Sequence, residues 1–161
     1  MVNERWLQQK QFTIPNRAAV IASSLARDLP LASHDDTEIE HVEQASAEGM
    51  AIVMGGPNLV KGGSHSGNVS AAELAQLDLL DIFSSDYVPA SLLQSVFLLR
   101  DTVGWSLPKA VKTVTRNLAH AIGLTDRGEL APGLRADVIR VRMSGSMPIV
   151  RAAWHKGTQA F

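Results

Sequence analysis

Three short clusters in this chain of 161 residues could carry chemistry. The first is His34-Asp35-Asp36. An imidazole beside two carboxylates offers nitrogen and oxygen ligands for Zn²⁺ or Mn²⁺, or a base with the partner that orients it. The same three residues also suit a helix start, with an aspartate as N-cap beside an incidental histidine. The second is Lys61-Gly62-Gly63-Ser64-His65-Ser66-Gly67-Asn68. Glycines let backbone N–H groups approach a phosphate closely, and Lys61, Ser64 and Asn68 add side-chain donors. The Gly-Lys-Ser/Thr ending of a P-loop is missing. The alternative is a surface linker, but an apolar run before it and a capped helix after it favour an ordered loop. The third is Ser84-Ser85-Asp86. A carboxylate at the end of a buried strand is costly unless it is paired, bound to metal or at the rim of a site. The bland reading of Asp86 is a cap for the helix that follows Pro89.

The remaining histidines fit duller roles. His41 shares a helix face with Glu40 and Glu43 and is expected to be solvated, and so is His155 near the terminus. His120 lies in a helix that is otherwise apolar on that side. Asp126-Arg127-Gly128 and Arg135-Ala-Asp137 read as turn and pairing residues, and Phe97, Trp105 and Trp154 as core or interface residues.

The elements that must position these clusters can be read from the apolar spacing. Arg17 to Arg27 has helical spacing behind Asn16 as N-cap, and Asp28-Leu-Pro30 stops it. Leu31-Ala32 reads as a short strand whose tip carries His34. A helix is expected from Glu38 to Glu48, closed by Gly49. Met50 to Met54 is apolar at successive positions, as in a strand covered on both faces. Gly55-Gly-Pro-Asn58 should break it. Ser70 caps a helix over Ala71 to Leu79, and Leu80-Asp-Ile-Phe83 is a third strand ending at Asp86. Pro89 to Arg100 is an amphipathic helix. Ser106 caps another, with Pro108 in its first turn, running to about Ile122 and ended by Gly123. Ala136 to Met143 alternates as a strand, with Pro148 to Trp154 as its hairpin partner across Ser144-Gly-Ser146.

Strand–helix units repeated three times, then helices, then a β-hairpin, make an α/β pattern with parallel strands. Polar residues after each strand tip suit a (β/α) barrel, where the site lies at the C-terminal face. A whole barrel takes at least about 200 residues, so the chain reads as part of one. Residues 1–125 are expected to form the partial barrel, and residues 126–161 a β segment of a small composite domain.

Composition removes several function classes. Lys and Arg number 15 against 16 Asp and Glu, for a formal net charge of -1, which gives no support for nucleic-acid binding. The apolar fraction of 45% argues against disorder. There is no cysteine, so disulfides, thiolate nucleophiles and Cys-ligated metals are excluded. The start lacks a signal-peptide core, and no apolar run reaches the roughly 18 residues of a membrane span. A cytoplasmic protein with no membrane partner is expected.

The longer strings around these clusters carry a resemblance. Leu31-Ala-Ser-His-Asp-Asp36, Val53-Met-Gly-Gly-Pro-Asn58, Lys61-Gly-Gly-Ser-His-Ser-Gly-Asn-Val-Ser70 and Leu79-Leu-Asp-Ile-Phe-Ser-Ser-Asp-Tyr-Val-Pro-Ala-Ser-Leu-Leu93 resemble the C-terminal part of the PhnM family, within the amidohydrolase superfamily. Asp126-Arg-Gly-Glu-Leu-Ala-Pro-Gly-Leu-Arg-Ala-Asp137 resembles the superfamily's return from barrel to small β-domain. The resemblance runs from about residue 17 to the end. It implies a metal-dependent hydrolase on a distorted (β/α)₈ barrel. Its substrate would be a phosphorylated ribose, alpha-D-ribose 1-methylphosphonate 5-triphosphate, cleaved to the 5-phosphate plus pyrophosphate. It further implies His34 and Asp86 as metal ligands, His65 as a third, and Asp86 as the group that handles the proton of the attacking water. Lys61, Gly62, Gly63, Ser64, His65 and Asn68 would face the polyphosphate.

The chain also departs from that pattern. The family's N-terminal part, with its metal-binding His motif, has no counterpart here; no His-x-His occurs and no lysine sits at an evident strand tip. A barrel strand is missing between His41 and Met50. The chain alone is therefore expected to be weakly active or inactive, and to self-associate through open sheet edges. The rival readings are a non-catalytic remnant with a phosphate-binding surface, and another amidohydrolase activity such as deacetylation or cyclic-amide hydrolysis.

Overall fold

A computed structural model describes residues 19–21, 39–63 and 69–161. The strand expected at Leu31-Ala32, together with His34, Asp35 and Asp36, lies outside these residues, as do Ser64, His65 and Asn68.

The centre of the fold is β2 (Ala51–Gly55). Ile52, Val53 and Met54 are all buried, so both faces of this strand are covered. That is the environment its unbroken apolar run demands. On one side it pairs in parallel with β3 (Ile82–Ser84), in the register Val53 to Ile82, Met54 to Phe83 and Gly55 to Ser84. On the other side it pairs with β1 (Ala19–Ile21), and this pairing is antiparallel. Two expectations are corrected here. Ala19–Ile21 is strand where helical spacing predicted a helix, and the sheet is mixed where an all-parallel one was expected. A run as short as Ala-Val-Ile fits either structure by periodicity, and a free edge of β2 rewards the extended one.

Helix α1 (Ile39–Ala47) buries Val42 and Ala45, three residues apart, and packs on β2. After β2 the chain does not simply break. It turns directly into α2 (Gly56–Val60), with Pro57 in the first turn, where its missing N–H costs nothing. Gly56 is fully packed: a Cβ there would lie 2.5 Å from Ser91 Oγ. Ser91 and Ser95 belong to α4 (Ser91–Leu98) and are buried, and Ser95 Oγ donates to the Gly56 carbonyl at 3.2 Å. The absent side chain thus lets two helices touch.

Helix α3 (Ala71–Gln76) begins with a complete capping box. Ser70 Oγ accepts from the Glu73 N–H at 3.1 Å, and Glu73 Oε2 accepts from the Ser70 N–H at 2.8 Å. Helix α4 continues into a π-helical turn, Leu99–Val103, closed by Gly104 at φ 84°. Buried Trp105 then donates from Nε1 to the Ala75 carbonyl at 3.1 Å, tying this turn to α3.

The helix expected from Ser106 to Ile122 is two helices, α5 (Leu107–Lys112) and α6 (Arg116–Ala121). The break has a cause. The Thr113 carbonyl leaves the helical ladder and accepts the Phe83 N–H of β3 at 3.0 Å. An edge-strand amide is satisfied at the cost of helical continuity. Phe83, Ile52, Met54, Leu74, Val96 and Leu99 form the centre of the core, each contributing about 1.5–3 kcal/mol by burial.

The C-terminal part is the expected hairpin, β4 (Val138–Ser144) against β5 (Met147–His155). Its turn is Gly145-Ser146, with Gly145 at φ 59°. A two-residue strand β6 (Thr158–Gln159) folds back on β5. Arg135 and Asp137 pair at 2.6 Å, the pairing role expected of them.

Candidate functional site

Because β2 and β3 are parallel, their C-terminal tips lie side by side. Gly55 ends one and Ser84-Ser85-Asp86 follows the other. Asp86 takes a left-handed backbone, φ 50°, which is uncommon for a residue with a side chain and bends the chain sharply after β3. A Cβ on Gly55 would lie 3.4 Å from Asp86 Oδ2. The carboxylate therefore rests over the tip of the neighbouring strand, in space that the glycine leaves open. Among the described residues, buried Asp86 Oδ2 finds no hydrogen-bond partner, and the same holds for Ser84 Oγ. An unsatisfied buried carboxylate oxygen is expensive, and a native structure keeps one where a ligand completes it.

Lys61 reaches the same end of the sheet from the far side of α2. Its Nζ donates to Tyr87 Oη at 2.5 Å and lies 5.2 Å from the centroid of that ring. Tyr87 is the residue after Asp86, so two of the clusters singled out in the sequence are joined through a residue that was not. A neutral aromatic next to a candidate carboxylate gives no charge or ligand signal, and nothing in the pattern marks it.

The glycine loop is held at its neck by Asn58. The Asn58 carbonyl accepts the Gly63 N–H at 3.1 Å, and its side-chain Oδ1 accepts the Ala71 N–H at 2.9 Å. The two ends of the loop are thus clasped by one residue. The N–H groups of Lys61, Gly62 and Gly63 all close the end of α2, on Pro57, Leu59 and Asn58 respectively. At this end of the loop the Lys61 side chain is exposed. Glu73, at the other end, has its carboxyl held below its ordinary value of 4.5, first by the Ser70 backbone N–H and then by the Ser70 hydroxyl.

The opposite end of the sheet carries a shallow depression of about 310 Å³, lined by Ser46, Met50, Asp81, Ile82 and Asn117 among others. Two of its polar groups bond to the sheet backbone. Asp81 Oδ2 accepts the Ile52 N–H at 2.8 Å, and Asn117 Nδ2 donates to the Asp81 carbonyl at 2.9 Å. Two of the described side-chain atoms that are buried without a hydrogen bond, Ser84 Oγ and Asp86 Oδ2, are at the tips instead. Among the described residues no three His, Asp or Glu side chains gather into a metal-binding group. His41, His120 and His155 are exposed, as expected for the first and third. No helix among the described residues is long and apolar enough to cross a membrane.

No protein-family model matches the chain. Among curated proteins, the alpha-D-ribose 1-methylphosphonate 5-triphosphate diphosphatase of Escherichia coli (strain K12) is 42% identical over 179 residues, covering 98% of this chain and 46% of that protein. The chain thus spans about half the length of this relative. The aligned stretch is longer than the chain itself, so positions of the relative inside it have no counterpart here. Shorter matches are the imidazolonepropionases of Deinococcus deserti, 43% identical over 35% of this chain and 16% of the relative, and of Ruegeria sp. (strain TM1040), 42% identical over 34% of this chain and 15% of the relative. Along 98% of its length the chain is similar to the alpha-D-ribose 1-methylphosphonate 5-triphosphate diphosphatase, the resemblance its residue patterns indicated.

Proposed function

We propose that this chain carries the later strands of a metal-dependent diphosphatase site, in a partial (β/α) barrel over residues 1–125. Residues 126–161 would be the C-terminal β segment of a composite small domain. The reaction is hydrolysis of alpha-D-ribose 1-methylphosphonate 5-triphosphate to the 5-phosphate plus pyrophosphate. The observation that carries the reading is the buried Oδ2 of Asp86, without a partner among the described residues, over the tips of two parallel strands. Kinship along 98% of the chain to a protein named for that reaction supports it.

The donor set fits a divalent cation. A carboxylate oxygen without a hydrogen bond is a ready ligand for Zn²⁺ or Mn²⁺. His34 and His65 are the nitrogen ligands proposed beside it. A divalent ion, when bound, lowers the pKa of water and offsets charge on phosphoryl oxygens. Asp86 accepts the proton that water releases as it attacks the phosphorus of the 5-phosphate. The bond to the pyrophosphate oxygen breaks in the same displacement. Lys61 balances charge on the leaving side, and Gly62, Gly63, Ser64, His65 and Asn68 shape the loop around the chain of phosphates. The missing barrel strand is placed between His41 and Met50, inside the aligned stretch. A second copy, joined through open sheet edges, is the proposed partner, in the cytoplasm.

The test is pyrophosphate release from the triphosphate by the metal-loaded chain. Release that disappears in Asp86→Ala supports the reading. Triphosphate bound without turnover supports the non-catalytic remnant in its place. Turnover of an N-acyl or cyclic-amide compound supports another amidohydrolase activity.

A further inference from the structure

The contact between Lys61 and Tyr87 has more capacity than it uses. Lys61 Nζ donates to Tyr87 Oη, which leaves two ammonium N–H groups and the phenol O–H without described acceptors. Lys61 forms no ion pair with a described residue, unlike Lys109, Arg100, Arg116, Arg127 and Arg135. Both side chains are exposed. The lysine is held by a phenol oxygen, which does not cancel its charge. Its direction is fixed while its cation stays available. Tyr87 follows Asp86 in the chain at the strand tips, where an anionic substrate needs positive charge to offset the carboxylate.

The geometry points to Tyr87 as a positioning and specificity residue. It aims the Lys61 ammonium at the terminal phosphates of the substrate and adds its own O–H as a second donor to the same phosphoryl oxygens. This rests on reading the strand tips as a triphosphate site. Charge-assisted bonds from one ammonium and one phenol favour a polyphosphate end over a neutral or singly charged one.

Tyr87 is the only tyrosine in the chain, so one isotope-labelled ring gives one signal. The probe is inorganic triphosphate, with binding followed both by that ring signal and by equilibrium dialysis. The expected result is a saturable shift of the ring signal in the wild-type chain, absent in Lys61→Ala although the ring is still present. Tyr87→Phe should weaken triphosphate binding about tenfold, the loss of one charge-assisted bond, with its urea midpoint unchanged. Tyr87→Phe binding with wild-type affinity, together with an unmoved wild-type ring signal, overturns the role of Tyr87 and leaves the site reading intact. No triphosphate bound at all overturns both. A shifting ring in a chain that binds no metal supports the pair and removes the catalytic reading.

Discussion

Asp86 leans over Gly55, with its Oδ2 3.4 Å from the place a Gly55 side chain would begin. The glycine makes room, and the left-handed backbone of Asp86 aims the carboxylate into that room. A residue pair of this kind has a clear stability signature, because Oδ2 is buried with no donor to it among the described residues. Asp86→Asn should leave the unfolding free energy within about 0.5 kcal/mol of wild type, or raise it. Asp81, at the other end of the sheet, provides the contrast. It accepts the Ile52 N–H, and Asp81→Ala should cost about 1–3 kcal/mol by leaving a buried strand amide unpaired. Urea unfolding of the two variants checks this. Equal losses in both would mean that Asp86 is a structural residue.

Gly56 is the tightest point of the fold. Its missing Cβ would lie 2.5 Å from Ser91 Oγ and 3.2 Å from the Ser91 backbone carbon. The backbone atom cannot swing aside. Gly56→Ala should cost about 1–3 kcal/mol, read as a lower urea midpoint. Wild-type stability in that variant would show that α2 and α4 do not pack this closely.

Asn58 holds both ends of the glycine loop. Asn58→Ala removes the acceptor of the Ala71 N–H and should cost about 1 kcal/mol. Hydrogen exchange should accelerate at Ala71 more than at Leu74, whose N–H bonds the Ser70 carbonyl. Equal exchange at both positions before and after substitution would count against the clasp.

Glu73 makes the α3 cap depend on pH. Its carboxyl is held below 4.5, chiefly by the Ser70 N–H. The folded pKa therefore lies below the unfolded one, and the unfolded chain binds more protons between the two. Its contribution is complete above the unfolded value and is lost as pH falls through the folded value. The stability gap between wild type and Glu73→Gln should be full at neutral pH and close as pH drops through the folded value. Urea melts across that range measure it. A gap independent of pH would contradict the capping box.

Much of the fold could be read from residue order. Ile52-Val53-Met54 announced a strand covered on both faces, Ser70 and Ser106 announced helix starts, and the alternation from Ala136 announced the hairpin. The failures share a cause: tertiary contacts overruled local pattern. Gly55-Gly56-Pro57 looked like a breaker, yet Pro57 suits a first helical turn and Gly56 is needed against Ser91. No local feature of Thr113 reveals that its carbonyl is claimed by Phe83. Ala19–Ile21 became strand because a neighbour far along the chain offered an edge. At the site, Asp86 was legible because a carboxylate at a strand tip is chemically conspicuous. Tyr87 and Asn58 were not, since one is neutral and the other acts through its backbone and amide on groups set by the fold.

The central claim is that Asp86 helps hold a divalent cation together with His34. Equilibrium dialysis against Mn²⁺ or Zn²⁺, followed by metal analysis, tests it on the wild-type, His34→Ala and Asp86→Ala chains. The account predicts that each substitution lowers affinity by about tenfold or more, while both variants still unfold cooperatively in urea. Metal bound equally well by all three would contradict it.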